Sequence, residues 1–315
     1  MATPTNTVFF PVVINAGTQT PAGFVEEYHQ KKDEWEQLLL ETGAVKFTGI
    51  DIRSTADFQQ VTDGISSEFL DYIDGNSPRT RLTGHVYTST EFDSTQRITM
   101  HNELSYSAKW PGKIFFSCLV PATTGGETLL ADSSAIYEAM DRTIVHEIEK
   151  NGIQYIRNLH GGKGIGPSWQ ETFETTSKEQ LEHYCTEYGI NFEWNQNGGL
   201  KLRQFSKGII PHRVTGRKLW FNQVDQFHPC HLDDELYETL QLLYDSPEQF
   251  PMFVTFGNGQ PIPETMIGEM LATIDALTIA PVWQTGELLM LDNERIAHGR
   301  NPFTGNRKVL VAMSE

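Results

Sequence analysis

His101 and Glu103 stand two apart in the run RITMHNELSY. Side chains two apart on a strand share a face, so both can reach one ion from one side of a sheet. Two histidines and one carboxylate make the facial donor set of mononuclear iron(II), which leaves three positions open for a chelating cosubstrate and dioxygen. A third ligand has to come from elsewhere in the chain. The pair alone is a weak signal. Ten histidines and 41 acidic residues among 315 make about one His-x-acid triplet expected by chance. His231-Leu232-Asp233 is a second instance, and there Asp233 opens the run DDELYETLQLLY, where it is placed to cap a helix.

The elements that must position such residues fall into two stretches. Residues 7–15 read as a strand interrupted by Pro11, 21–43 as a helix begun near Pro21 and ended by Gly43, GAVKFTGIDI as a strand and STADFQQVTDGIS as a helix. From about residue 80, HVYTSTEF, RITMHNELSY, KIFFSCLVPA and GETLLADS are strand-like runs bounded by turn residues. A helix follows in SSAIYEAMDRTIVHEIEKNG. Residues 155–230 read as irregular apart from a helix near 176–188. Helices at 232–245 and 263–276 flank a strand at 251–256, and GELLMLDNERIAHG and NRKVLVAMSE are further strands. Strands on both sides of a long insert predict a mostly β chain with α (α+β). The expected core is a double-stranded β-helix, or jelly roll, with flanking helices. One domain spans 1–315, with a lid or substrate insert at about 155–230.

Composition bounds the partners. A formal net charge of -17 leaves no excess of Lys and Arg to neutralise phosphates, which argues against nucleic acid and against an anionic membrane surface. Cys118, Cys185 and Cys230 are widely spaced and form no CxxC pair, so neither a zinc site nor a disulfide framework is expected. A reducing, cytoplasmic setting follows. The first residues lack a basic signal-peptide region, and no run of about 18 apolar residues suggests a membrane span.

HNELSY, GGETLLAD and the later HGR…GNRK occur together. In this combination the chain resembles the taurine dioxygenase and clavaminate synthase superfamily of iron(II)/2-oxoglutarate-dependent oxygenases, from about residue 80 onward. The nearer likeness is to amino-acid hydroxylases of peptide natural-product pathways. The resemblance implies an enzyme in which His101, Glu103 and His298 bind iron(II). Thr128 and Arg307 then hold the far carboxylate of 2-oxoglutarate, and dioxygen is the second cosubstrate. A guanidinium fork and a hydroxyl suit a carboxylate, and Arg307 would share a strand face with Val309 and Val311, where a buried cation needs an anion. Each residue also has a plainer reading. His298 reads as a satisfied buried histidine, Thr128 as an ordinary strand threonine, and Arg307 as the partner of a structural carboxylate. Arg300, two residues past His298, is a candidate contact to substrate or cosubstrate, and Arg295 is expected to pair with Asp292 or Glu294.

The implied reaction releases succinate and carbon dioxide while oxidising an unactivated C–H bond. Glu103 supplies the carboxylate that halogenating relatives lack, so oxygen insertion is expected rather than halogenation. The expected substrate is an amino acid or amino-acid-like metabolite, free or tethered to a carrier protein. Candidate substrate contacts are Arg81, Asn222, Asp225 and Arg300. Trp169 and GGKGIG, which lacks the G-K-[ST] ending of a phosphate loop, are candidates for the lid. Two alternatives stand beside this reading: a jelly-roll binding protein without catalysis, and the same chemistry on a sulfonate or phenoxy-acid catabolite.

Overall fold

Alternate residues of the central strands enter different cores. In Lys113–Val120, Phe115 joins one apolar cluster and Phe116 another. Leu288 and Met290 alternate with Leu289 and Leu291, and Leu310 and Ala312 with Val309 and Val311. A sheet buried on both faces reads as a continuous apolar run, which is why LLML and VLVAM show no polar alternation. These assignments come from a computed structural model that describes residues 11–77 and 79–315. The expected strand at 7–15 falls partly outside them. Its described part belongs to the strand Val12–Gln19.

The central sheet has seven strands, in the order Val12–Gln19, Ala44–Ile50, Leu288–Asp292, Lys113–Val120, Lys308–Ser314, Val86–Thr88, Arg81–Thr83. Only the first pair is parallel. Its outer face is covered by Phe24, Tyr28, Trp35, Leu39, Phe58 and Val61. These come from the helices Pro21–Gln30, Lys32–Thr42 and Thr55–Ile65. The predicted helix at 21–43 is thus two helices, broken at Lys31, where φ is −111°. Its end at Gly43 is kept, with the left-handed φ of 76° that glycine tolerates. The predicted helix at 133–152 is also two, because Asp141 caps a new start by accepting from the backbone N–H of Thr143 and Ile144.

The inner face shares its core with an antiparallel three-stranded sheet, in the order Ile98–His101, Ile296–Arg300, Thr128–Asp132. Residues 155–230 are more regular than their composition suggested. The strands Ile153–Leu159, Asn191–Trp194, Leu200–Ser206 and Met252–Phe256 form an antiparallel four-stranded sheet, and Ile209–Pro211 pairs with Lys218–Trp220. The chain is therefore a mixed α and β protein with many strands.

Candidate functional site

His298 lies on the middle strand of the three-stranded sheet, directly opposite His101 on the edge strand. Opposed residues on antiparallel strands bring their side chains together, and the two imidazole centroids are 4.4 Å apart. The strand stops at His101. Glu103 is therefore not on a strand, as its spacing suggested, but in the turn that follows, where Leu104 takes a positive φ of 57°. Asn293 substitutes for the missing strand partner. Its Oδ1 accepts from the Glu103 N–H at 2.7 Å, and its Nδ2 donates to the Glu103 carbonyl at 3.0 Å and to the Pro111 carbonyl at 2.9 Å. Asn102 points away and donates to the Asn293 carbonyl at 2.7 Å.

His101, Glu103 and His298 are buried, and ligand atoms of the three lie within 4.8 Å of one another. Among the described residues no other group of three or more His, Cys, Asp or Glu is so placed. The His231 triplet is not among them: Asp233 caps the helix Asp234–Leu243 by accepting from the Leu236 N–H. His101 Nδ1 sits 2.9 Å from the Thr99 carbonyl, which turns the other ring nitrogen toward a metal. Burial, then the neighbouring His298, push the His101 pKa down to about 4, so its lone pair is available at neutral pH. Burial would raise the Glu103 carboxyl, but the Arg79 charge and the hydrogen bond with His298 hold it well below the usual carboxylate range. His298 Nδ1 is buried with no partner. Two imidazoles and an ionised carboxylate, enclosed and close together, fit a divalent iron.

A narrow cleft beside the triad is lined by Thr128, Arg300, Arg307, Ser89, Phe116 and Arg79, with His101 and His298 at its wall. Arg307 Nε donates to the Gly126 carbonyl at 2.8 Å and Nη1 to Ser89 Oγ at 3.1 Å. It has no carboxylate partner among the described residues. Burial, then the like charge of Arg300, lower its pKa to about 10. Thr128 Oγ1 accepts from Trp283 Nε1 at 2.9 Å, which leaves its hydroxyl hydrogen free to donate. Trp283 carried no sequence signal of this role.

Other expectations need correction. Arg81 does not reach the cleft. It lies in exposed ion pairs with Asp71 at 2.8 Å and Glu174 at 3.1 Å. Arg79, two residues earlier, enters instead, its side chain only 2% exposed and paired with Glu103. Asn222 donates to the Gly208 carbonyl and accepts from the Val224 N–H, so it shapes its own turn. Asp225 is buried and borders none of the clefts described here, and one of its oxygens lacks a partner. Arg300 lines the cleft, but its guanidinium donates to the carbonyls of Thr90, Phe92, Asp93 and Gln96, so it fastens the 90–96 segment. Arg295 pairs with Asp132 and donates to the Leu40 carbonyl, rather than forming an ion pair with Asp292 or Glu294. Trp169 is a core residue, its indole N–H on the Gly198 carbonyl.

A second, mostly apolar cleft of about 310 Å³ is bordered by Asn76, Phe92, Arg157, Ile165, Gln226 and Phe227. Part of GGKGIG and part of LWFNQVDQFHPCH thus line a cavity. A larger groove of about 420 Å³ runs past Glu36, His212 and Arg213, but no triad residue borders it.

The model of the taurine catabolism dioxygenase TauD, TfdA family matches residues 19–313. The chain belongs to the TauD/TfdA dioxygenase family. It is an enzyme family, and the match covers every strand that carries a triad residue. Among relatives, the dapdiamide synthesis protein DdaC of Enterobacter agglomerans is 34% identical over 278 residues, which is 88% of this chain and 84% of that protein. The clavaminate synthase-like protein At3g21360 of Arabidopsis thaliana is 31% identical over 96% of this chain and 93% of its own. A solved asparagine oxygenase, in complex with iron(II), 3-hydroxyasparagine and succinate, aligns at a TM-score of 0.54 and 12% identity, covering 93% of this chain and 79% of the other. That likeness is one of fold.

Proposed function

We propose that this TauD/TfdA-family chain is an iron(II)- and 2-oxoglutarate-dependent oxygenase in which His101, Glu103 and His298 hold the iron. Thr128 and Arg307 take the far carboxylate of 2-oxoglutarate. The observation that carries the reading is a part-buried guanidinium, Arg307, which has no anionic partner among the described residues and lines the cleft beside a buried His–Glu–His cluster. A buried charge requires a counter-charge, and a dicarboxylate with one end at the metal supplies it.

With iron(II) bound, the site couples decarboxylation of 2-oxoglutarate to succinate and carbon dioxide with insertion of the other atom of dioxygen into a C–H bond. The chain's own residues orient and enclose. Arg307 and Thr128 fix the cosubstrate by its far end. Phe116, packed 5.3 Å from the His298 ring, keeps that side of the triad dry, which strengthens every charge interaction within it. The central and three-stranded sheets, joined by one core, are read as the two halves of a double-stranded β-helix. The chain is read as one domain with an insert at about 155–230.

The substrate class is an amino acid or amino-acid-like metabolite, free or carrier-tethered, oxidised in the cytoplasm. The likeness to a dapdiamide synthesis protein supports biosynthesis over catabolism. Anaerobic addition of iron(II) and 2-oxoglutarate should give the visible charge-transfer band of the metal–cosubstrate chelate. His298→Ala should lose it. A wild-type chain that forms no band would instead support a binding protein without catalysis.

A further inference from the structure

Arg79 is the buried cation that the reading above leaves without a role. Its Nη2 pairs with Glu103 Oε2, the oxygen that also lies 3.7 Å from His298 Nε2. Its guanidinium sits 4.4 Å over the Tyr72 ring. Among the described residues its Nη1 meets only the Met313 sulfur, at 3.9 Å, and its Nε is buried with no partner. Most of a five-donor fork is therefore unspent while it lines the triad cleft.

Counting charge shows what is missing. Arg79, Arg300 and Arg307 are positive and enclosed, and Glu103 is the one acid lining this cleft or ligating its metal. A metal dication and a cosubstrate dianion cancel each other, so the filled site keeps an excess of positive charge. The Oε2 that Arg79 now neutralises also faces His298 Nε2, and a dication held between those two groups would repel the guanidinium. Placement decides where the released fork is directed. Arg79 follows Gly75 and Asn76, which border the apolar cleft, and Asn76 Oδ1 is likewise buried without a partner. Arg79 thus lines the triad cleft a few residues past the segment that borders the apolar one.

We propose that Arg79 is a carboxylate-binding subsite for the substrate, occupied by Glu103 until metal binds. The substrate is then a carboxylate-bearing molecule whose less polar part extends into the apolar cleft. This rests on the iron and 2-oxoglutarate reading, and the experiment separates the two. The charge-transfer band formed anaerobically tests that reading first, since its absence in the wild type defeats the function and not this assignment. To the banded complex, a panel of free L-amino acids and the matching C-terminal carboxamides is added.

In the wild type, at least one free acid should shift the band at a concentration about tenfold or more below its carboxamide. Arg79→Gln should still form the band, at no more iron(II) than the wild type needs, because a competitor for Glu103 is gone. It should lose the preference for the acid. Arg79→Lys, with charge but no fork, should keep a weakened preference. Three results would overturn the assignment. One is acids and carboxamides acting alike, or neither acting, on the wild type. Another is Arg79→Gln keeping the preference. The third is a raised 2-oxoglutarate or iron(II) requirement in Arg79→Gln, which makes Arg79 a cosubstrate or positioning residue.

Discussion

At the scale of single residues, the cleft differs from an ordinary core in which of its polar groups lack partners. On the proposed reading, Arg307→Gln removes two charge-assisted hydrogen bonds to the cosubstrate carboxylate. At the low end of their range these total about 3 kcal/mol, so the apparent Kd for 2-oxoglutarate should rise about a hundredfold. Thr128→Val removes one, for about tenfold. Titrating the charge-transfer band measures both, and an unchanged Kd in Arg307→Gln would remove that residue from the site. Asp225 behaves differently. Burial raises its carboxyl pKa, with Thr99 and His231 pulling it down less strongly. A folded-state pKa above the unfolded one gives a contribution that is full below the unfolded value and lost as pH rises through the folded value. Asp225→Asn, which cannot ionise, should therefore be more stable than the wild type at neutral pH by about 1–3 kcal/mol. That gain should shrink as pH falls through the carboxylate range. Urea unfolding at neutral and mildly acidic pH measures it. A gain that does not depend on pH would contradict the argument, and a collapse of turnover in the same variant would restore Asp225 as a substrate contact.

At the scale of elements, the sequence was most legible where periodicity was strongest. The strands Lys113–Val120, Thr128–Asp132 and Lys308–Ser314 fall where apolar runs placed them. The insert was misread because its strands carry polar residues on one face: in Leu200–Ser206, Leu200 and Leu202 are buried while Lys201 and Arg203 are only half-buried. The triad residues were legible, but not how Glu103 is held. That depends on Asn293, distant in sequence, in a tetrapeptide (LDNE) that looks like any polar turn. Asn293→Ala breaks three buried hydrogen bonds around Glu103. It should destabilise the chain by about 2–4 kcal/mol and weaken iron(II) binding. Thermal unfolding and an iron titration test this, and unaltered metal affinity would show that the turn holds Glu103 without its clamp. Arg79 was missed for a related reason: SPRTRL offers two arginines, and only tertiary packing decides which one turns inward.

At the scale of the molecule, a buried ion pair ties the insert to the segment that leads to Arg79. Arg157, on the four-stranded sheet, is fully buried against Asp74, whose Oδ2 also accepts from Ser107 and Gln204 at 2.8 Å. Asp74 begins the segment that carries Arg79, so the insert sets where that cation stands. Removing one partner of a buried pair strands the other charge, at a cost of about 3–5 kcal/mol. Asp74→Asn should lower stability by that amount in a denaturant titration. A loss below about 1 kcal/mol would mean that water or a neighbour compensates Arg157. The opposed register of His101 and His298 has a consequence for how the protein is made. His101 and Glu103 are synthesised long before His298, and the strand bearing His298 is central to its sheet. A chain emerging from the ribosome can display His101 and Glu103 but cannot close the triad until that strand inserts. On the proposed assignment, the complete donor set is thus withheld from the nascent polypeptide until the fold that encloses it is nearly complete.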